Sequence, residues 1–355
     1  MSAHLPDRTL VETVDRLLRD HCTHETVQEA EAAGWANDMW APLAAMGAPW
    51  VGLSADDGGS GGTWADALAV LRACGAHAVP LPVAETGLLG GWLLATAGLP
   101  IPEGPLAVVP GRAEDALRLE GGALSGVAHN VPWAAAAERI IALCAGQIVV
   151  IDGSAPAVTI EARRNVAGEP REIVRFDGAV PEHTVAAPAG TAEELRRRGA
   201  LSRAALMTGA LETVSDLTVA YANERQQFGK PVASFQAVSQ QLVRLVAETQ
   251  LVVMALHTTT AALLRGPAPF EIAAFKAIAG EAATSVTARA HQVHGAIGMT
   301  QEYGLHQLTR RLWAWREEYG STTAWRSIVG SYVSAVGSAD VWRLVTEGSA
   351  ASPSL

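Results

Sequence analysis

The feature that most constrains this fold is the length of unbroken helical periodicity after Thr191. Leu195, Leu201, Leu206, Leu211, Leu217 and Val219 recur on a helical spacing and predict one helix from Thr191 to about Asn223. Ser234 to Leu264 predicts a second, ended by Gly266 and Pro267, and the alanine-rich run from Pro269 to about His294 predicts a third. Glu302–Trp313 and Thr322–Glu347 complete the set. Helices this long bury their apolar stripes by packing side by side, which predicts an antiparallel bundle.

The preceding segments have other periods. Leu10, Val14, Leu17 and Leu18, then Trp40, Leu43 and Met46, mark short helices in the first hundred residues. GLLGGWLLATAGLP, Gly87 to Pro100, reads as a buried helix ending at a proline. From about 104 to 190 the runs shorten to PLAVVP, ALRL, IIALC, IVVID and REIVRF, and two pairs are separated by hairpin-length loops. The chain therefore reads as mainly α with a middle β-domain. An N-terminal helical domain spans 1–103, a small β-barrel or sandwich spans 104–190, and a C-terminal helical bundle spans 191–355.

Bulk composition removes several function classes. The 355 residues are 49% hydrophobic and 17% charged, enough to bury a large core in two or three structural units. A formal charge of −10 offers no footprint for nucleic acid or an anionic membrane. No apolar run reaches the roughly 18 residues of a membrane span. The N-terminal apolar pattern is interrupted by charges, unlike a secretory signal. Cys22, Cys74 and Cys144 lie far apart, which fits a reducing, cytoplasmic setting.

Two stretches could carry chemistry. ERQQFGKPVASFQAVSQQL, Glu224 to Leu242, places an arginine and amides at a break between helices, which suits an anionic group such as a diphosphate, although ordinary helix-end capping explains it equally well. In HQVHGAIGMTQEYGLHQLTRRLWAW, His291 to Trp315, Gly295 and Gly298 end a helix and let the backbone approach a ligand or partner. His291 and His294, like His21 and His24 around Cys22, lack further ligands at metal spacing. DDGGSGG, Asp56 to Gly62, follows no strand, lacks the Lys-Ser/Thr of a phosphate loop, and reads as a surface loop.

In this order and spacing the stretches resemble the acyl-CoA dehydrogenase family. ERQQFGKPVASFQ is similar to its ERxxFGxxxxxxQ signature. HQVHGAIG followed by EYGLHQLTRR is similar to its QxxGGxG…E…RD segment, and WAPLAAMGAPWVGLSADDGGSGG resembles its N-terminal passage. The resemblance implies FAD, an acyl-CoA thioester substrate, a three-domain fold and a dimer of dimers. It also implies that Arg225 binds the FAD diphosphate, with Gln226 and Phe228 shaping the adjoining contact. Gln236, Gln292, Gly295 and Gly298 would line the adenosine side; Ala296 stands where the family has glycine.

The chain departs from that pattern at the chemistry. The family's base, a Glu in Tyr-Glu-Gly-Thr, takes a proton from the carbon α to the thioester. In register from Gly298, that place falls on Tyr319, a poor base at neutral pH, followed by Gly320 and Ser321. In WREEYGS, Trp315 to Ser321, the glutamates come one and two residues early. Neighbouring side chains diverge by about 100° on a helix. Glu318 thus reads as an exposed or salt-bridged acid near Arg310, Arg311 or Arg316 more readily than as a shifted base. The base's alternative home, at the start of the first bundle helix, falls on Gly199, with Glu193 and Glu194 more than a turn away. The loop that holds the flavin ring in the family is missing from PLAVVPGRAEDALRLEGG, Pro105 to Gly122, and its Trp-Ile-Thr-Asn-like strand is replaced by GVAHNVPWAAAA.

What is kept reaches toward a neighbour's cofactor, and what is lost holds one. This resembles the small, non-base-bearing subunit of heteromeric bacterial acyl-CoA dehydrogenases, including those acting on steroid side-chain thioesters. It implies an α2β2 assembly with a larger catalytic subunit and an electron-transfer flavoprotein as acceptor. The alternatives are a self-sufficient homo-oligomeric dehydrogenase using Glu318 and a flavin-free acyl-CoA-binding or scaffold protein.

Overall fold

The computed structural model describes residues 5–348. By contacts it forms two compact units, one holding Arg8–Val70 with Pro80–Gly199, the other Leu71–Val79 with the chain from Ala200 onward.

The first unit opens with α1 (Arg8–His21), α2 (His24–Ala33) and α3 (Asn37–Ala45), which bury Val14, Leu18, Val27 and Leu43. Thr23 starts α2 by accepting a hydrogen bond from Thr26 N. Helix α4 (Trp64–Ala76) passes from this unit into the other. The expected buried helix after Pro82 is a π-helical turn, Glu85–Gly91, every residue of it buried, running into the short α5 (Trp92–Thr96).

Eight strands follow: β1 (Leu106–Val108), β2 (Ala116–Glu120), β3 (Ala123–Pro132), β4 (Arg139–Cys144), β5 (Gln147–Asp152), β6 (Val158–Glu161), β7 (Arg171–Ala179) and β8 (His183–Ala186). They form two four-stranded sheets, β1-β4-β5-β8 and β2-β3-β7-β6, antiparallel except for the β1–β4 pair. Neither sheet closes on itself. Their inner faces share one core that includes Ala107, Ile140, Val149 and Ile151 from the first and Leu124, Val131, Val174 and Phe176 from the second, so the β-region is a sandwich. The two tight hairpins turn on pairs with positive φ, Gly121-Gly122 (58°, 81°) and Ala145-Gly146 (51°, 75°), which match the right-handed twist of the strands.

The C-terminal helices are α6 (Thr191–Glu224), α7 (Gln236–Leu263), α8 (Pro269–His294), α9 (Leu305–Trp315) and α10 (Thr322–Glu347). Pro269 sits in the first turn of α8, where its missing N–H costs nothing, and Gly295 ends it with φ 62°. Ser321 caps α10 by accepting from Ala324 N at 3.3 Å. The sequence reads α10 as continuous, but Gly337 (φ 71°, ψ 170°) breaks it.

In the second unit the end of α4 crosses α6 at backbone contact. A Cβ at Gly75 would lie 1.9 Å from the Leu206 carbonyl oxygen, and one at Gly209 would lie 1.8 Å from that of Arg72. Beside the crossing, Arg72 Nε and Nη2 hold Glu212 at 2.6 and 2.5 Å. Because a methyl group has no room here, Gly209→Ala should destabilise the chain by about 1–3 kcal/mol, read as a lower urea midpoint with unchanged slope.

Candidate functional site

The segment from Trp315 to Ser321 wraps a buried ionic cluster. Helix α9 runs out at Trp315, and Lys276 from α8 donates its Nζ to the freed carbonyls of Trp315 (2.7 Å) and Arg316 (3.1 Å). Arg203 from α6 donates Nε to Glu318 Oε2 at 2.5 Å, and its guanidinium lies 5.4 Å from the centre of the Tyr319 ring. Arg203 and Lys276 are each only 1% exposed. Tyr319 adopts φ 54°, its carbonyl accepts from Trp325 Nε1 at 3.0 Å, and Gly320 follows at φ 110°. A Cβ at Gly320 would stand 2.6 Å from that indole nitrogen, so the tight approach requires glycine. Trp325 itself packs with Ala200, Ala273 and Ala277.

Glu318 therefore faces the protein's own arginine. It is a salt-bridged acid, and the residue that holds its Oε2 is Arg203, which is not one of the three expected neighbours Arg310, Arg311 and Arg316. Arg311 donates to Gln307 O and Arg316 to Thr284 Oγ1. At the alternative home of the base, Gly199 follows Arg198, whose guanidinium lies between the rings of Trp64 (4.8 Å) and Trp92 (4.4 Å). Glu193 and Glu194 pair with Arg196, Arg197 and Arg198 on the same helix.

The β-region residues that would seat a flavin ring do not fit one. Between β1 and β2 the chain turns on Asp115, which accepts from Arg112 N at 2.7 Å and His129 N at 2.8 Å. In place of a ring-binding strand, Trp133 is 3% exposed, sits at φ 50°, and lies under Arg171 at 4.7 Å. Arg171 is ion-paired with buried Glu169 at 3.0 Å. Burial pushes the neighbouring Glu172 carboxyl up, against a hydrogen bond from Ala134 N. Protein side chains fill this position.

The residues that would reach a neighbour's cofactor are presented outward. After α6 a two-pair ladder, Gln226 to Pro231 and Gln227 to Lys230, turns on Phe228 (φ 51°) and Gly229 (φ 78°). Arg225 and Gln226 are exposed, and Phe228 at the tip is 91% exposed. Among the described residues no carboxylate pairs with Arg225. Gln236 begins α7 and Gln292 lies in the last turn of α8, both exposed; Gly295 caps α8, and Gly298 is buried, where a Cβ would lie 2.9 Å from His294 Cβ. Ala296 is exposed, so its methyl group meets no packed neighbour. Arg225, Gln226, Gln236 and Gln292 thus present a guanidinium and amides to solvent, groups whose chemistry suits an anionic ligand. His291 and His294 each have separate partners, Thr309 Oγ1 and Ala290 O. Arg203 and Lys276 stand in no motif of the sequence, because each reaches the Trp315–Ser321 segment only through the packing of distant helices.

Burial and the adjacent Arg203 pull Lys276 down from 10.5 to about 7, against the pull of Glu318. Between pH 7 and 10.5 the unfolded chain thus binds more protons at this site than the folded chain, and folding stability rises with pH. Lys276→Met should flatten the rise between pH 7 and 9, as followed by urea unfolding. A slope equal to that of the unaltered chain would contradict the assignment.

Comparison with known proteins places this geometry. The family described as acyl-CoA dehydrogenase, C-terminal domain, matches residues 192–333. The chain is 30% identical over 307 residues to the acyl-CoA dehydrogenase IpdE2 of Mycolicibacterium smegmatis, covering 85% of this chain and 90% of that protein. Its fold is similar to a chain of the ChsE4–ChsE5 complex from Mycobacterium tuberculosis, with TM-score 0.86, 22% identity, and 95% and 99% of the two chains covered. It is also similar to a chain of the Tcur3481–Tcur3483 steroid ACAD variant, with TM-score 0.84, 21% identity, and 92% and 97% covered. The match to IpdE2 extends along nearly all of both proteins: the chain belongs to the acyl-CoA dehydrogenase family.

Proposed function

We propose that this chain is the non-base-bearing subunit of an FAD-dependent acyl-CoA dehydrogenase, completing the cofactor site of a larger catalytic partner in an α2β2 assembly. The observation that carries the reading is the engagement of Glu318 by buried Arg203, with Tyr319 at the base position. A base that removes the proton α to a thioester must present a free lone pair to it, at close range and out of water. Glu318 Oε2 is directed at a guanidinium, and Gly199 has no side chain.

Arg225 and Gln226 would contact the FAD diphosphate, with Phe228 packing beside them. Gln236, Gln292, Gly295 and Gly298 would lie along the adenosine side. When bound, FAD accepts the hydride from the β-carbon of the acyl group. An arginine fits this role because its planar fork makes two charge-assisted hydrogen bonds to phosphate oxygens. Two of the similar structures pair unlike proteins, ChsE4–ChsE5 and Tcur3481–Tcur3483, and the second is a steroid ACAD. They support a heteromeric assembly and make a steroid side-chain CoA thioester the preferred substrate class. An electron-transfer flavoprotein is the acceptor in this reading, and the cytoplasm its location. No helix among the described residues is long and apolar enough to cross a membrane.

A self-sufficient enzyme using Glu318 would have to take the proton on a carboxylate already held at Oε2 by Arg203. A flavin-free scaffold would have no use for an unpaired arginine on an exposed hairpin. Purified by itself, the chain should carry no stoichiometric flavin and show no turnover. In the co-expressed complex, Arg225→Ala should weaken FAD binding about ten- to a hundredfold, measured by recovery of flavin fluorescence. Glu318→Gln should leave kcat of the folded complex within about twofold, although losing one partner of a buried pair costs about 3 kcal/mol of stability. A large fall in kcat with the fold intact would favour Glu318 as base.

A further inference from the structure

The hairpin that carries Arg225 has no core of its own. Residues 223–230 are all exposed, and the ladder consists of two residue pairs. A two-stranded ribbon that short does not hold its shape in water. Its position relative to the helices comes from its stems and from Phe235 at the start of α7, whose ring centre lies 6.1 Å from that of Phe228 and 4.5 Å from Lys230 Nζ. On one side Val232, buried, donates its N–H to Arg225 O at 2.8 Å. On the other, Arg225 N donates to Tyr221 O at 2.8 Å, so the last turn of α6 continues into the hairpin.

Tyr221 is where that turn is fastened. Its ring stacks on His294 with centroids 4.5 Å apart and planes at 21°, and its hydroxyl donates to the His294 carbonyl at 3.3 Å. His294 is the last residue of α8, directly before the Gly295 turn, and is 3% exposed. Its Nδ1 lies 2.8 Å from Ala290 O. A carbonyl can only accept, so Nδ1 carries the proton. Burial holds the imidazole below its usual pKa and the ring neutral. Nε2 is left as an acceptor, and the Tyr303 hydroxyl stands 3.3 Å from it. The Tyr303 ring lies 5.1 Å from that of His294 and 6.3 Å from that of Tyr221.

Three rings from three separate segments thus meet, and both imidazole nitrogens have assigned partners. A purely apolar ring at 294 would fill the space but would leave its rotation about the Cβ–Cγ bond free of directional bonds. Here the two hydrogen bonds fix that rotation, and with it the plane against which Tyr221 lies.

We propose that the Tyr221–His294–Tyr303 stack is the joint that sets the Arg225 hairpin against the Gly295–Gly298 turn, so that both meet one diphosphate-bearing cofactor as a single preformed surface. His294 and the two tyrosines are positioning residues, acting through Arg225 and the glycine turn. The cofactor part of this inference rests on the function proposed above; the joint itself does not.

Hydrogen exchange on the isolated full chain tests the joint without flavin. His294→Ala should speed exchange of the Arg225 and Val232 amides about tenfold, the loss of one aromatic pair and one hydrogen bond, with the buried turns of α7 unchanged. His294→Phe, which restores a ring but not the tie to Tyr303, should give an intermediate rate. Unchanged exchange at Arg225 and Val232 in a folded His294→Ala chain overturns the joint. Should that variant fail to fold, Tyr303→Phe removes a single hydroxyl and should speed the same amides about threefold; no change there overturns the joint equally. In the complex with its partner, His294→Ala should weaken FAD binding in the Arg225 background and have no further effect beside Arg225→Ala, because both act through one contact. A loosened hairpin with undiminished FAD affinity supports the joint and overturns the cofactor role of Arg225.

Discussion

The contact between Arg203 and Glu318 organises the segment on which the proposed function turns. A buried ion pair is weak evidence for net stability, since desolvation offsets much of the attraction, but removing one partner is costly. Such a pair therefore fixes a conformation more surely than it strengthens a fold. Here it holds the segment after α9 against α6, with the Tyr319 ring beside the guanidinium. Lys276 donates to the carbonyls left free at the end of α9. In the proposed function, the acid beside the expected base position is neutralised by Arg203.

The same unit contains a contrasting surface. The hairpin after α6 leaves an arginine unpaired and a phenylalanine almost wholly exposed in a left-handed conformation. The left-handed, exposed phenylalanine is unfavourable for a chain alone in water and becomes less so when another surface covers it, while the hydrated arginine stays open to an anion. In the proposed function, inward neutralisation at one place and outward exposure at the other are what a subunit that completes a partner's site would need.

Much of the fold was legible where local pattern and long-range packing agree. Helix α8 lies where Pro269 and His294 bound it, and the tight β-hairpins lie where their turn residues put them. The misses have physical causes. Strands β6 and β8 are four residues each and only partly buried, so VTIE and HTVA carry little alternation to read. The break at Gly337 falls in a largely exposed stretch where apolar periodicity is weak. At the candidate site, the displacement of the acid from its usual register was visible as spacing. Its partner was not, because Arg203 lies 115 residues away in sequence and reaches Glu318 only through the packing of the helices. A lysine in the alanine-rich α8 likewise reads as a surface charge until the carbonyls of α9 are placed over it. His294 lacks further ligands at metal spacing in the sequence, and only the arrival of Tyr221 and Tyr303 shows what surrounds its ring.

The most direct test of the account is a count of flavin against polypeptide in the purified complex, from the flavin absorbance and quantitative amino-acid analysis. If this chain extends arms toward a cofactor seated in its partner, there will be one flavin for each pair of unlike chains. A flavin on every polypeptide, or a yellow and active preparation of this chain by itself, would contradict it.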